Sequence, residues 1–462
     1  MNNNIFLKIS KFLVYLVPFA VVIVYQGTLF PFIVGKYTFF RAITLLALIF
    51  FVWGWATSKS QKFKVESQKF VADRNIFNGW SFLSSSLAVA IAIFVFIFLL
   101  SGFFGYSPHS SFWSNFERGE GGLQIICLFI FFALLAILFR DEESWLRIFA
   151  VSIWASILVI AYGVAAALRL DNFIGAGFCE RFAGSLGNPA YLGTLMIFSL
   201  FFSGYLFVKA KKPLKKCLLA GSILIFLLSL FLSQTRGAFL GLGAGILFGL
   251  SYLVIYLSGR KRLIPLLILI ALIVGGSLVF VNRHSINLMW FCGAKANNRL
   301  LDVSPETENF QTRLLLWRQS LLAFAERPIL GWGPESFSIA FEKHFDVRFT
   351  AWFDRAHNIF FDYLVFSGIL GLMSFIGVFV VFYLQFFKRT RIITNYTQTR
   401  IGSQRKSVLS PFESMLVFSL PIAYLVQGFV LFDVLPIYIN LFLFLGFAAY
   451  RLQVVDAEKH AK

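Results

Sequence analysis

Charge is scarce in this sequence. Asp, Glu, Lys and Arg make up only 14% of 462 residues, against 58% hydrophobic, and the mean hydropathy is +0.78. That balance excludes an ordinary soluble protein, which has no use for so much apolar surface. Familiar catalytic signatures are missing as well: there is no P-loop, HExxH, GxSxG or CxxC pattern. Histidine is limited to five positions. His284, His344 and His357 share one connection, His109 is isolated and His460 is on the tail. No DxD-like pair stands on the outer side, which argues against a divalent cation gripping a pyrophosphate. Neither a metal site nor a cofactor is therefore expected. No repeat period, low-complexity tract or soluble appendage interrupts the chain.

What the chain does have is apolar runs of about 17–25 residues, the length that spans a bilayer as a helix. Such helices satisfy their own backbone hydrogen bonds, which lipid cannot do. Twelve candidate spans fall near 12–34, 38–56, 81–101, 122–139, 147–168, 188–208, 217–235, 237–258, 263–282, 358–387, 411–432 and 434–450. The expected fold is an all-α polytopic membrane protein: a single transmembrane domain over 1–462, with about twelve transmembrane helices. The first span lacks a small-residue cleavage site and exceeds a signal-peptide core, so it reads as retained.

A net charge of +19 suggests nucleic acid until its placement is considered. With the N-terminus inside, the even-numbered connections hold the basic clusters. These are Lys59, Lys62, Lys64, Lys69 and Arg74; Lys209, Lys211, Lys212, Lys215 and Lys216; Arg260, Lys261 and Arg262. Lys388, Arg389, Arg391, Arg400, Arg405 and Lys406 form the last group. The short odd-numbered connections are poor in Lys and Arg, as the positive-inside rule requires. Both termini are thus expected in the cytoplasm, with membrane lipids and not nucleic acid as the partner of these charges. Of four cysteines, Cys127 and Cys217 fall in or beside spans. Cys179 and Cys292 fall on the outer side, where pairing depends on an oxidising compartment and stays open.

One connection stands out. Residues 283–357 form a large outer loop between the ninth and tenth spans, far beyond ordinary connection lengths. Within it "TRLLLWRQSLLAFAERP" places Leu314, Trp317, Leu321 and Phe324 at helical spacing, with Arg313, Gln319 and Glu326 off that stripe. Such a helix would lie on the membrane surface, cover a site beneath it, or do both. The Pro/Gly-rich "PILGWGPESF" and then "FDRAHNIFFDYL" lead into the tenth span.

Three helix starts point outward. Asn188 caps and Pro189 begins the sixth span, Gly237 follows Arg236 at the eighth, and His357 and Asn358 open the tenth. Helix N-termini favour anions, phosphates above all. Arg236 suits a lipid-linked phosphate because its planar fork binds oxygens in pairs. Snorkelling to headgroups accounts for its position equally well. His357 is the best acid–base candidate by position, although an interfacial histidine is more often a capping residue.

"SQTRGAFLGL", "RLLLWRQSLLAFAERPILGWGPESF" and "AHNIFFDYLVFSGILGL", in this order and spacing, resemble the O-antigen ligase and O-antigen polymerase superfamily. The strong part of the resemblance covers 220–378; "NFERGEGGL" at 115–123 and "GNPAYLGTL" at 187–195 add weaker support. The resemblance implies metal-independent, inverting glycosyl transfer on the periplasmic face of the bacterial inner membrane. The implied donor is a glycan on undecaprenyl pyrophosphate, and the acceptor a glycan, lipid A core or protein. By the same resemblance Arg236 in "TRGA" and Arg313 match arginines that bind the pyrophosphate, and His357 in "AHN" matches the histidine that activates the acceptor hydroxyl. Arg318, Arg348 and Arg355 either line the same pocket or lie on the solvated surface. Asn188 stands at the phosphate-facing end of its helix, and Glu117, Arg118 and Glu120 are placed to hold the first outer loop near the site.

Three functional classes remain: a ligase acting on lipid A core or protein, a polymerase joining lipid-linked repeat units, and a transporter. The pattern leans towards the ligase. A transporter site calls for polar groups and broken helices near the midplane. Here Asp362, Glu413 and Asp433 lie near span ends, and only Gln427 and Asn440 are deeper.

Overall fold

Lipid offers the backbone no hydrogen-bond partner, and each expected span holds a helix among the described residues of the computed structural model. It describes residues 4–65, 85–286, 300–301, 307–399 and 409–453. Among these there are fifteen α-helices and no strand. In chain order they begin with α1 (Ile5–Leu16), α2 (Val34–Val65), α3 (Ser86–Phe103), α4 (Pro108–Trp113) and α5 (Gly122–Leu138). Next come α6 (Glu142–Ala167), α7 (Pro189–Lys209), α8 (Pro213–Leu232), α9 (Arg236–Tyr256) and α10 (Leu263–Val281). The last five are α11 (Glu308–Glu326), α12 (Phe337–Lys343), α13 (Ile359–Thr399), α14 (Pro411–Gly428) and α15 (Leu435–Gln453).

Ten helices among the described residues are long and apolar enough to cross a membrane. The other two expected spans coincide with the shorter apolar α5 and with α14, which contains Pro421. The first span sits earlier than 12–34. It opens at the cap Asn4, tightens to 3-10 geometry from Val17, where Pro18 brings no N–H, and stops at Val22. Lys69, Arg74, Arg400, Arg405, Lys406 and Cys292 lie outside the described residues, as do the side chains of Lys59, Lys62, Lys64, Arg389 and Arg391. Cys179 is disulfide-bonded, while Cys127 and Cys217 are free.

Small residues decide which helices meet. Gly237, Gly241, Gly245 and Gly249 recur every fourth position and form one stripe on α9. A β-carbon at Gly241 would lie 2.6 Å from the Ala423 carbonyl oxygen, and one at Gly245 2.9 Å from the Ala423 β-carbon. The bare stripe therefore lets α9 press against the backbone of α14, the packing that small residues permit between membrane helices. At the far end of α14, charges tie helix ends together. Lys209 bridges Glu142 (2.7 Å) and Glu413 (2.9 Å), and Arg451 reaches Glu142 (2.8 Å) and the Tyr205 hydroxyl (2.7 Å).

The large loop has its own small core of Leu316, Ala323, Trp332, Phe337, Phe341 and Phe366. The buried side of α11 is Leu316, Gln319, Ser320 and Ala323. This corrects the expected stripe: Leu314 and Leu321 are exposed, while Trp317 and Phe324 are half-buried at its edge. The stripe follows apolarity alone, whereas α11 packs on a polar-tolerant seam against α13.

The loop is anchored by a break in a membrane helix. At Gly368, φ is 60° and α13 loses its regular geometry. The carbonyls freed there accept N–H groups from the loop: Val365 from Trp332 (2.8 Å) and Phe366 from Gly333 (2.9 Å). In return the Ile369 N–H donates to Pro328 (2.8 Å). A side chain at Gly331 or Gly368 would strike the opposing backbone, and both glycines have positive φ.

Candidate active site

The three expected helix starts lie at one end of the bundle. Asn188 accepts the Ala190 N–H at 2.8 Å, and Asn358 accepts that of Phe360 at 2.9 Å. Between them, α9 begins on Arg236 itself, and its N-cap Thr235 makes no side-chain capping bond. The first turn of α7 packs directly on that of α9, since a β-carbon at Gly193 would lie 2.7 Å from that of Ala238.

One short connection touches all three. The turn from α14 to α15, residues 427–433, is a hub. Gln427 donates to Thr194 of α7 at 3.1 Å. Gly428 is covered by Ile359 of α13, and Val430 covers Gly237 of α9. Phe429 meets the Trp317 ring edge-on at 5.6 Å. Phe432 receives the His357 ring at 5.0 Å, the Tyr191 ring at 5.7 Å and the Arg118 guanidinium at 5.1 Å.

Arg313 enters this hub from α11, donating through Nη1 to the Val430 carbonyl at 2.8 Å. Arg236 is half-buried, and the same Val430 covers the adjacent Gly237. His357 sits in left-handed backbone, φ 53°, a conformation that costs a histidine free energy and has to be held by its surroundings. The holders are visible. The Ala356 N–H donates to Asp362 at 2.7 Å, Trp317 Nε1 donates to the Ala356 carbonyl at 3.2 Å, and Phe353 flanks the ring at 5.7 Å. Burial pushes the His357 imidazole down to about 4, and the nearby charge of Arg313 adds to the effect. The shift favours the neutral imidazole at physiological pH.

The connection between α3 and α5 meets the same hub. Arg118 makes a bidentate pair with Asp354, Nε to Oδ2 at 2.7 Å and Nη2 to Oδ1 at 3.0 Å. Burial acts to raise the Asp354 carboxyl, and the Arg118 hydrogen bonds together with the charges of Arg355 and Arg118 outweigh it, holding it below the ordinary value. Glu120 meets Arg355 at 3.3 Å, and Glu117 lies 3.7 Å from Arg118.

The remaining expected residues separate into different places. Arg355 is only 3% exposed and turns to Glu335 (2.5 Å) and Glu120, away from any open surface. Arg318 is exposed; five residues from Arg313, it points to nearly the opposite side of α11. Arg348 pairs with its neighbour Asp346 at 2.7 Å, on the exposed rim. Asn188 is a cap whose side-chain oxygen is already engaged. Sequence reasoning missed the 427–433 hub, Asp354, Glu335 and the brace from Trp317. A glycine and two polar residues, Gln427, Gly428 and Asp433, interrupting an apolar run mark the hub in the sequence.

No curated protein matches the chain. Residues 220–376, which hold Arg236, Arg313 and His357, match the family model described as O-antigen ligase, a match that supports a place in the O-antigen ligase and polymerase superfamily.

Proposed function

We propose that the chain is an O-antigen ligase-type glycosyltransferase. It moves a glycan from undecaprenyl pyrophosphate onto an acceptor hydroxyl, with lipid A core as the first acceptor to consider. The convergence of Arg313, the Arg236 turn and His357 on residues 427–433 carries this reading.

Breaking the glycosidic bond leaves its electron pair on a phosphate oxygen, so charge grows on the leaving pyrophosphate. Arg236 and Arg313, with the α9 N-terminus behind them, are placed to stabilise that charge without a metal ion. The acceptor oxygen attacks the sugar carbon from the opposite face and inverts it, while its proton passes to neutral His357. Holding both lipid-anchored substrates at one membrane surface contributes a further proximity term. Arg118 and Arg355 act as positioning residues in this scheme, since carboxylates already occupy their guanidinium groups. The basic clusters, read by the positive-inside rule, support cytoplasmic termini and a site on the periplasmic face of the inner membrane.

Reconstitution in vesicles with a lipid-linked glycan donor tests the proposal, offering lipid A core, a protein and a second lipid-linked unit in turn. Transfer to lipid A core is expected. Extension of the second lipid-linked unit alone would make the chain a polymerase, and no transfer to any acceptor would overturn the reading.

A further inference from the structure

Behind the His357 segment lies a cavity that this chemistry leaves unused. Glu120, Glu335, Asp362 and Asp433 line it with a single cation, Arg355, and Phe432 forms the wall towards His357. Arg355 binds Glu335 Oε1 and Glu120 Oε2 and gives Nη1 to the Asp354 carbonyl. Asp362 Oδ1 accepts the Ala356 N–H, and Asp433 Oδ2 accepts the Tyr424 hydroxyl at 2.5 Å. The Tyr363 and Tyr438 hydroxyls pair with each other at 3.2 Å. Glu335 Oε2 and Asp362 Oδ2 are left buried with no hydrogen-bond partner, on residues 8% and 4% exposed.

Four carboxyls therefore face one guanidinium. Of the adjacent charges, Arg118 and Asp354 neutralise each other, Arg313 stands at Val430 on the hub, and Lys36, which shares the neighbouring cavity with Glu120, gives its ammonium to the Ile23 and Ser185 carbonyls. Full ionisation would leave at least two uncompensated negative charges in buried surroundings, even with Lys36 counted, which a low local dielectric does not support. Carboxyls crowded in this way share protons.

We propose that this cavity is a proton store, holding protons on Glu120 and Asp433 at neutral pH and exchanging one with His357 in each transfer. The exchange rests on the transferase reading; the proton occupancy does not. As the acceptor oxygen bonds to the sugar carbon, its proton moves to the imidazole. From there it crosses to a cavity carboxylate, returning His357 to its neutral form. The store later gives a proton to the departing pyrophosphate, whose new terminal oxygen accepts it. Burial pushes Glu120 up to about 8, with Glu335 reinforcing and Arg355 opposing, and pushes Asp433 up to about 7. Both shifts run opposite to that of His357, which favours passage of the proton into the cavity.

Infrared difference spectroscopy on the purified full chain tests occupancy without substrate. The carbonyl stretch of protonated carboxyls should be present at neutral pH, disappear as pH rises, and weaken in both Glu120→Gln and Asp433→Asn. No such band, or one unchanged in both variants, overturns the store. In the transfer assay both variants should lose roughly tenfold in kcat, less than the ~10²-fold or more expected for losing the base itself. Donor KM should hold, and the neutral-range pH profile should flatten. Unchanged kcat and pH profile in both variants overturn the exchange with His357, and so does a loss confined to melting temperature and donor KM. If the wild type shows the band but transfers nothing, the store stands and the transferase reading fails.

Discussion

Arg313 donates a hydrogen bond across 2.8 Å to the carbonyl oxygen of Val430, the residue whose side chain covers Gly237 next to Arg236. Two arginines distant in the chain are thereby referred to one backbone position. If both grip pyrophosphate oxygens in pairs, charge alone will not replace them. Arg236→Lys and Arg313→Lys should each lower kcat by ~10²-fold with little change in melting temperature. Full turnover in either lysine variant would remove that arginine from the mechanism.

The glycine stripe yields a paired prediction. Gly241→Ala meets the Ala423 carbonyl, which cannot move aside, and should cost about 1–3 kcal/mol and reduce transfer by shifting the Arg236 turn. On the same helix a β-carbon at Gly243 would meet nothing within 4 Å, so Gly243→Ala should be neutral or gain up to ~1 kcal/mol. Thermal unfolding of the two variants in one detergent compares them directly; equal melting temperatures would contradict the stripe's role.

The Arg118–Asp354 pair should fix the connection between α3 and α5. Asp354→Asn leaves a buried guanidinium short of its partner, at a cost of about 3 kcal/mol. Hydrogen exchange over residues 114–121 should rise sharply in that variant. Because the Asp354 carboxyl is held low when folded, its contribution is complete above the ordinary carboxylate pKa, ~4, and is lost as pH falls through the lowered value. Lower protection of this loop at neutral pH than in acid, after correction for the intrinsic pH dependence of amide exchange, would reverse the predicted sign.

His357 should remain neutral well below the usual histidine range. Nitrogen NMR on histidine-labelled protein, assigned with His357→Asn, should place its titration near 4. Since the unfolded chain takes up this proton at higher pH than the folded one, acidification through that interval removes stability. A pyrophosphate analogue on Arg313 should screen the guanidinium charge and move the titration upward; no movement on binding would separate the two residues electrostatically.

Chelation provides an independent check. With Arg236 and Arg313 balancing the pyrophosphate charge, EDTA should leave transfer by the purified protein intact. Loss of turnover restored by added Mg²⁺ would instead call for a metal at the donor.

Much of this fold is legible from spacing. Run length alone identifies the spans, and Asn188-Pro189 and Asn358 carry the cap chemistry that begins α7 and α13. Pairings are harder. Nothing in "FDRAHN" tells that Asp354 turns to Arg118 while the adjacent Arg355 turns inward to Glu335, because the partners lie 236 and 20 residues away. The face of α11 misleads for a related reason: lipid and protein both accept leucine, so apolarity does not say which side is buried. The α9 glycines are the opposite case, since their four-residue period is plain in the sequence and names the contact face.

The break at Gly368 constrains how this protein can be re-engineered. Because Pro328, Trp332 and Gly333 complete the hydrogen bonding of α13, loop and helix are one cooperative unit. Chimeras that graft a relative's outer segment should cut beyond 328–370 on both sides; a junction inside that interval would separate backbone groups from the partners that satisfy them.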